Sequence, residues 1–230
     1  MSHFSINKQI GLVDNFSDLI NTPFQNEMNA LCWKRKLTGN FKEIKDLLIL
    51  EENITEISVD DLMSLKLSDA GTQARDIIIR DIQLLTDFGA SPSLNLLKCY
   101  ERDDEFDFIS TDVYSFHVDR SPIATDTYLC TYFGASSDII SNDHIEQKIL
   151  IPEIREKLKE LHDGDESDFE QFLQEYYFDL HYQAQENAQI TNLGVGHLWR
   201  LAVDHPEQAV LPCVHRAPFE NDEYRLLLIC

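Results

Sequence analysis

Basic residues are scarce in this chain. Of 230 residues, 19 are Lys or Arg against 41 Asp or Glu, a formal charge of −22 at pH 7. Nucleic-acid binding draws on clustered cations that release counterions, and docking on anionic lipid draws on the same groups. Neither partner is expected. Glycine (8) and proline (7) are too sparse for a low-complexity or collagen-like chain. No stretch approaches 18 uncharged apolar residues, so no membrane span is expected. The segment Met1 to Ile10 lacks a basic region followed by an apolar one, which argues against a signal peptide. The five cysteines (Cys32, Cys99, Cys130, Cys213, Cys230) are scattered and form no CxxC pair. That argues against a disulfide framework or a cysteine zinc site, and makes a reducing cytoplasm the expected compartment. A Gly-rich phosphate loop, a GxSxG elbow and an HExxH motif are all missing.

Core-forming residues, by contrast, are plentiful: hydrophobic residues make up 43 %, including 13 Phe, 8 Tyr and 2 Trp. The length fits a single domain. Residues 1–92 read mainly helical. Asn40–Leu50 is a plausible amphipathic helix, Ser58-Val-Asp-Asp61 looks like a capping box, and Ala74, Ile77, Ile78, Ile82 and Leu85 form a helical stripe that Gly89 and Pro92 end. From Leu94 the texture becomes strand-like: Leu94–Tyr100, Asp112–Asp119 and Thr125–Phe133, the last closed by Gly134. Residues 143–190 turn helical and acidic, with Pro152 suited to a first helical turn and Ser167-Asp-Phe-Glu170 as a second capping box. Strands return at His197–Val203, Ala209–His215 and Glu223–Cys230. The expectation is an α+β fold: N-terminal helices (1–92) packed on a β core (93–142 and 191–230) that carries a helical insertion (143–190), the core being an antiparallel sandwich or small barrel.

Three places in the β region carry chemistry. In His117-Val-Asp119, residues i and i+2 of a strand point to one face, so an imidazole and a carboxylate project together. His215 falls on or just after a later strand. Arg225 alternates with Leu227 and Ile229, which puts a cation in an apolar stripe, where it needs an anionic partner. Two His and one carboxylate on one face of a metal leave three adjacent positions open, the facial triad of non-haem Fe(II) oxygenases.

The order HxD, a long gap, His, then Arg about ten residues later in a last strand resembles the Fe(II)/2-oxoglutarate-dependent oxygenase superfamily. The likeness covers roughly residues 94–230. It implies a double-stranded β-helix (jelly-roll, cupin-like) core, His117, Asp119 and His215 as iron ligands, and Arg225 as the anchor of the 2-oxoglutarate distal carboxylate. Leu31-Cys-Trp-Lys-Arg35, Phe116-His-Val-Asp-Arg120, Cys130-Thr-Tyr-Phe-Gly134 and Val214-His-Arg-Ala-Pro218 also resemble an uncharacterised bacterial domain family with the same core, which supplies no substrate.

On that reading Tyr128 and Tyr132 are candidates to contact the cofactor. Tyr114 and the ligand-flanking Arg120 and Arg216 are candidates to contact a small-molecule or amino-acid-like substrate. The plainer roles are aromatic core packing for the tyrosines and surface ion pairs for the arginines. His197 is a substitute ligand should His215 not be one, and His3, His144, His162, His181 and His205 are expected to play no chemical part. Two rival readings stand beside this one. One is a non-catalytic module holding Zn²⁺ through the same three ligands. The other is a metal-free domain whose acidic helices dock a basic protein. Oligomeric state is not legible.

Overall fold

The computed structural model describes residues 8–219, 221 and 223–230, so His3 and the opening segment lie outside the described residues. The chain runs β1 (Ile10–Val13), α1 (Phe16–Asn21), β2 (Ala30–Trp33), α2 (Phe41–Leu47), β3 (Ile54–Glu56), α3 (Val59–Ser64), α4 (Asp69–Phe88), β4 (Ser93–Leu97), β5 (Phe116–His117), β6 (Asp126–Phe133), β7 (Asp138–Ile140), β8 (Ile145–Gln147), α5 (Pro152–Leu161), α6 (Phe169–Glu175), β9 (His181–Ala184), β10 (Ile190–Asn192), β11 (Leu198–Ala202), β12 (His215–Arg216) and β13 (Arg225–Ile229).

Local chemistry accounts for the helix ends. Ser58 and Asp61 close the capping box of α3. Ser68 accepts from the Gly71 amide to start α4, and Gly89, in the left-handed region at φ 99°, ends it where a side chain would be strained. Pro152 opens α5 in the first turn, where its missing N–H costs nothing. The capping box expected at Ser167 does not form. A 3₁₀ turn over Glu166–Asp168 runs directly into α6, which leaves Ser167 inside the turn, its hydroxyl donating to Asp168 Oδ1 at 3.1 Å.

Two largely antiparallel sheets make the fold mixed α+β. The larger has the order β1-β2-β11-β6-β13-β4-β3 and the smaller β10-β7-β12-β5-β9-β8. Between the sheets lies a core of Cys32, Leu97, Leu129, Ile139, Trp199, Leu201, Cys213 and Leu227. The opposite face of the larger sheet buries Leu31, Leu96, Tyr128, Cys130, Tyr132 and Leu228 against Leu19, Ile44, Leu62, Ile78 and Leu85 of the four N-terminal helices. A buried ion pair pins that layer: Arg35 donates to both Asp81 carboxylate oxygens at 2.7 and 2.6 Å, and Tyr132 donates to the same carboxylate at 2.7 Å.

Two expectations need correction. The N-terminal part is not only helical, because β1, β2 and β3 complete both flanks of the larger sheet. These strands are three or four residues long and β2, Ala-Leu-Cys-Trp, is apolar on both faces, so it shows no alternation to read. The insertion likewise supplies β8 and β9 to the smaller sheet, with α5 and α6 closing an aromatic core of Phe106, Phe108, Phe169, Phe172 and Phe178 beside them.

Candidate metal centre

Side-chain direction in the smaller sheet follows from register. Ile139 belongs to the core between the sheets, and His215 lies directly opposite it across β12–β7. His117 lies opposite His215 across β5–β12, and His181 opposite His117 across β5–β9. Directly opposed residues share a face, so three imidazoles stand in a row on the inner surface. Phe116 and Val118, of opposite parity to His117, pack with Ile140, Leu180 and Val214 on the other face. Asp119, two residues past His117, returns to the inner side.

His117, Asp119 and His215 offer ligand atoms all within 4.8 Å of one another, and among the described residues they are the one group so arranged to hold a metal. His215 Nε2 stands 3.7 Å from Asp119 Oδ2. Each imidazole is oriented from behind. His117 Nδ1 donates to the Ser115 carbonyl at 2.7 Å and His215 Nδ1 to the Cys213 carbonyl at 3.2 Å. Each Nε2 is thereby left as the unprotonated nitrogen, available to a metal. The Thr127 hydroxyl donates to Asp119 Oδ2. Burial and the neighbouring His215 push His117 down to about 4, so its imidazole is neutral at pH 7 and needs to shed no proton to bind a cation. Burial would raise Asp119, but His215, the Thr127 hydroxyl and His117 together hold its carboxyl below the ordinary value.

Arg225 lies on the larger sheet, facing the same inter-sheet space as Leu227, and is 5 % exposed. Its Nη2 donates to Thr131 Oγ1 at 3.4 Å and Ser137 Oγ at 3.2 Å, while its Nε is buried without a partner. No carboxylate of the described residues lies within ion-pair distance of it. Burial pushes the guanidinium below its usual range, with the phenol of Tyr100 opposing that shift. Tyr100, Tyr114, Phe219 and Arg225 wall a cavity of about 10 Å³, whose outer ring, Phe219, is 55 % exposed. Thr127 and Thr131 sit four residues apart on the inner face of β6, so the hydroxyl that holds Asp119 and the one that meets Arg225 rise from points about 13 Å apart along one strand.

The remaining candidates separate by face. Tyr128 and Tyr132 turn to the helical layer, opposite in parity to Thr127 and Thr131. Tyr132 is tied to Asp81 and stacked on Phe41, and Tyr128 packs edge-on to Phe88. Both therefore stand away from the imidazole row. Tyr114 stays beside Arg225, its hydroxyl accepting from the Tyr100 amide at 2.8 Å and its ring stacked on Phe219. Arg120 is held by Asp179 and Asp204, and Arg216 by Asp138, so both make the ion pairs of the plainer reading. His197 accepts from the Arg35 amide on the far side of the larger sheet. Sequence reasoning missed His181, which is 4 % exposed with an unpartnered Nδ1, along with Tyr100, Thr127, Thr131 and Ser137. Cross-strand register brings His181, Thr127 and Thr131 to the site, and the loops that hold Tyr100 and Ser137 bring those two. A cleft of about 820 Å³ lined by Phe24, Asp126, Arg200 and His205 lies elsewhere and holds no ligand cluster among the described residues.

The cysteines make no rival centre: all five are free, and burial pushes the thiols of Cys32 and Cys130 up to about 12. Comparison with protein-family models, curated proteins and solved structures gives no match to this chain.

Proposed function

We propose that the protein is a non-haem Fe(II)- and 2-oxoglutarate-dependent oxygenase of a small-molecule substrate, built on a double-stranded β-helix. The strand pairing supports that core. The antiparallel pairs β4–β13, β5–β12, β6–β11 and β7–β10 nest one inside the next in sequence and alternate between the two sheets. Such nesting is what one long two-stranded ribbon wound into a helix would give.

The residues fit the metal. Two imidazoles with their Nδ1 atoms already engaged and one carboxylate make an N₂O donor set that leaves adjacent positions for other ligands. The same set accepts zinc, so the triad alone does not separate an oxygenase from a binding module. Arg225 carries the reading. A buried guanidinium between the sheets, with no carboxylate partner among the described residues, is costly unless an anion arrives to meet it, and a zinc module has no use for one.

Bound Fe(II), with 2-oxoglutarate and O₂, supplies oxidative decarboxylation to succinate and CO₂ coupled to oxidation of the substrate. His117, Asp119 and His215 would hold the metal, and the Thr127 hydroxyl would steady the Asp119 carboxylate. Arg225, with Thr131, Ser137 and Tyr100 around it, would clamp the distal carboxylate of the co-substrate, the planar fork matching a carboxylate better than a point charge does. Phe219, half-exposed, forms the outer wall beside it.

The test is anaerobic titration with Fe(II) and 2-oxoglutarate. The reading expects a weak visible charge-transfer band that Arg225→Ala abolishes with metal still bound, and that His117→Ala abolishes by removing the metal. Stoichiometric tight zinc, with no 2-oxoglutarate-dependent band and no succinate formed in air, would overturn it.

A further inference from the structure

The two ligand imidazoles are not supported alike. Behind His215 stands a backbone carbonyl within a loop. Behind His117 stands Ser115, which is held at three atoms. Its amide donates to Asp112 Oδ1 at 3.3 Å, its carbonyl accepts from His117 Nδ1 at 2.7 Å, and its hydroxyl accepts from Lys148 Nζ at 2.8 Å. Lys148 also reaches the Ser110 carbonyl at 3.4 Å. It forms no ion pair with a described carboxylate. The two nearest, Asp103 and Asp112, are occupied: Asp103 by the Thr111 amide and hydroxyl, Asp112 by the amides of Tyr114 and Ser115. Burial drives the ammonium toward its neutral form, with Asp112 and Asp103 opposing. A half-buried lysine spent on a serine hydroxyl has little to recommend it as a stability device.

Its place in the chain supplies a reason. Lys148 opens the 3₁₀ turn Lys148–Leu150 between β8 and α5. The next residue, Ile149, is buried in the core that α5 and α6 close, with Ile109, Leu158, Phe169, Leu173 and Phe178. The docking of α5 and α6 therefore sets where the ammonium sits.

We propose that Lys148 is a positioning residue of the metal centre, transmitting the seating of the helical insertion through Ser115 to the imidazole of His117. This rests on the metal-centre reading given above. A charge-assisted hydrogen bond to the hydroxyl restricts Ser115, and the Ser115 carbonyl then restricts the tilt of the ring and the direction of Nε2. An insertion that loosens, or that closes on a substrate, is felt by the ligand without touching the metal.

The experiment titrates Co(II) into the full-length protein and reads affinity and d–d absorption. Wild type, Lys148→Met, Ser115→Ala, the double variant and His117→Ala are compared, with the thermal transition of each metal-free protein measured alongside. Lys148→Met and Ser115→Ala should each weaken Co(II) about tenfold and shift the absorption envelope, the range seen when outer-shell partners of a metal site are removed. The double variant should be no weaker than either single one, because both act through one path. Lys148→Met should leave the metal-free transition unchanged or raise it. Equal affinity and an identical spectrum in wild type and Lys148→Met would overturn the inference, as would a lowered metal-free transition with an unaltered spectrum. If Lys148→Met does not fold, Ser115→Ala, which removes only the hydroxyl, decides by the same spectral criterion. Wild type and His117→Ala binding Co(II) alike would instead overturn the metal-centre reading itself.

Discussion

His215 faces His117 directly across the β5–β12 pair, their ring centroids 4.5 Å apart and the rings tilted by 53°. Each strand of that pair is only two residues long. The geometry of the candidate metal centre thus depends on one rung of a ladder, held from one side by β7 and from the other by β9. Anything that disturbs that rung changes the distance between the two imidazoles.

Replacing Arg225 by Met should separate stability from binding. The variant removes a buried cation that has no described carboxylate partner, so the metal-free protein should gain about 1–3 kcal/mol in urea unfolding. The same variant should lose 2-oxoglutarate affinity, read by calorimetry on the Co(II)-loaded protein. A destabilised variant that still binds 2-oxoglutarate normally would contradict both halves.

Thr127→Val keeps shape and volume while deleting the hydroxyl that holds Asp119. Metal affinity should fall about 10- to 100-fold, with the unfolding midpoint nearly unchanged. Competition with a chromophoric chelator measures it, and an unaltered affinity would show that Asp119 does not depend on this bond.

Asp81→Ala should be the most damaging change outside the site. It leaves Arg35, whose side chain is 10 % exposed, without its two carboxylate bonds and removes the acceptor of the Tyr132 hydroxyl. The expected loss is about 3–5 kcal/mol, seen as a lower denaturant midpoint with metal affinity unchanged in the fraction that stays folded.

Acid should destabilise the metal-free protein before its carboxylates titrate. Burial, with neighbouring charge, depresses His117 from 6.5 to about 4 and His181 from 6.5 to about 3. Between the ordinary value and these lower ones the unfolded chain takes up protons that the folded chain refuses, so stability rises with pH across that window and falls as pH drops from 6.5 toward 4. Urea midpoints measured over that range should show the slope, and His181→Gln should flatten it by removing one of the two groups. An identical slope in the variant would mean that His181 is not held neutral by its surroundings.

Much of the local structure is legible in the residues themselves. The capping box at Ser58, the stop at Gly89, the first-turn Pro152 and the long strand over Asp126–Phe133 are short-range chemistry, and each lies where its sequence signal points. The alternation of Arg225 with Leu227 and Ile229 is visible in the same way. Period alone does not say which face of a strand looks inward, and that is why Tyr128 and Tyr132 read as candidates although Thr127 and Thr131 occupy the inner face of β6. Short strands such as β1, β3 and β8 leave too few residues for any period to register.

The chain by itself determined which chemical groups exist and in what order: an acidic, core-forming polypeptide with HxD, a distant histidine and a late arginine. A residue's type and its i+2 neighbour are set by covalent connectivity, so those features need no fold. Tertiary structure alone decided which groups meet. Contact between residues far apart in sequence is set by strand register, where a slip of one residue turns every side chain to the opposite face. It brought His181 beside His117, seated Lys148 on Ser115, and left Arg225 facing the inter-sheet space without a described counter-charge.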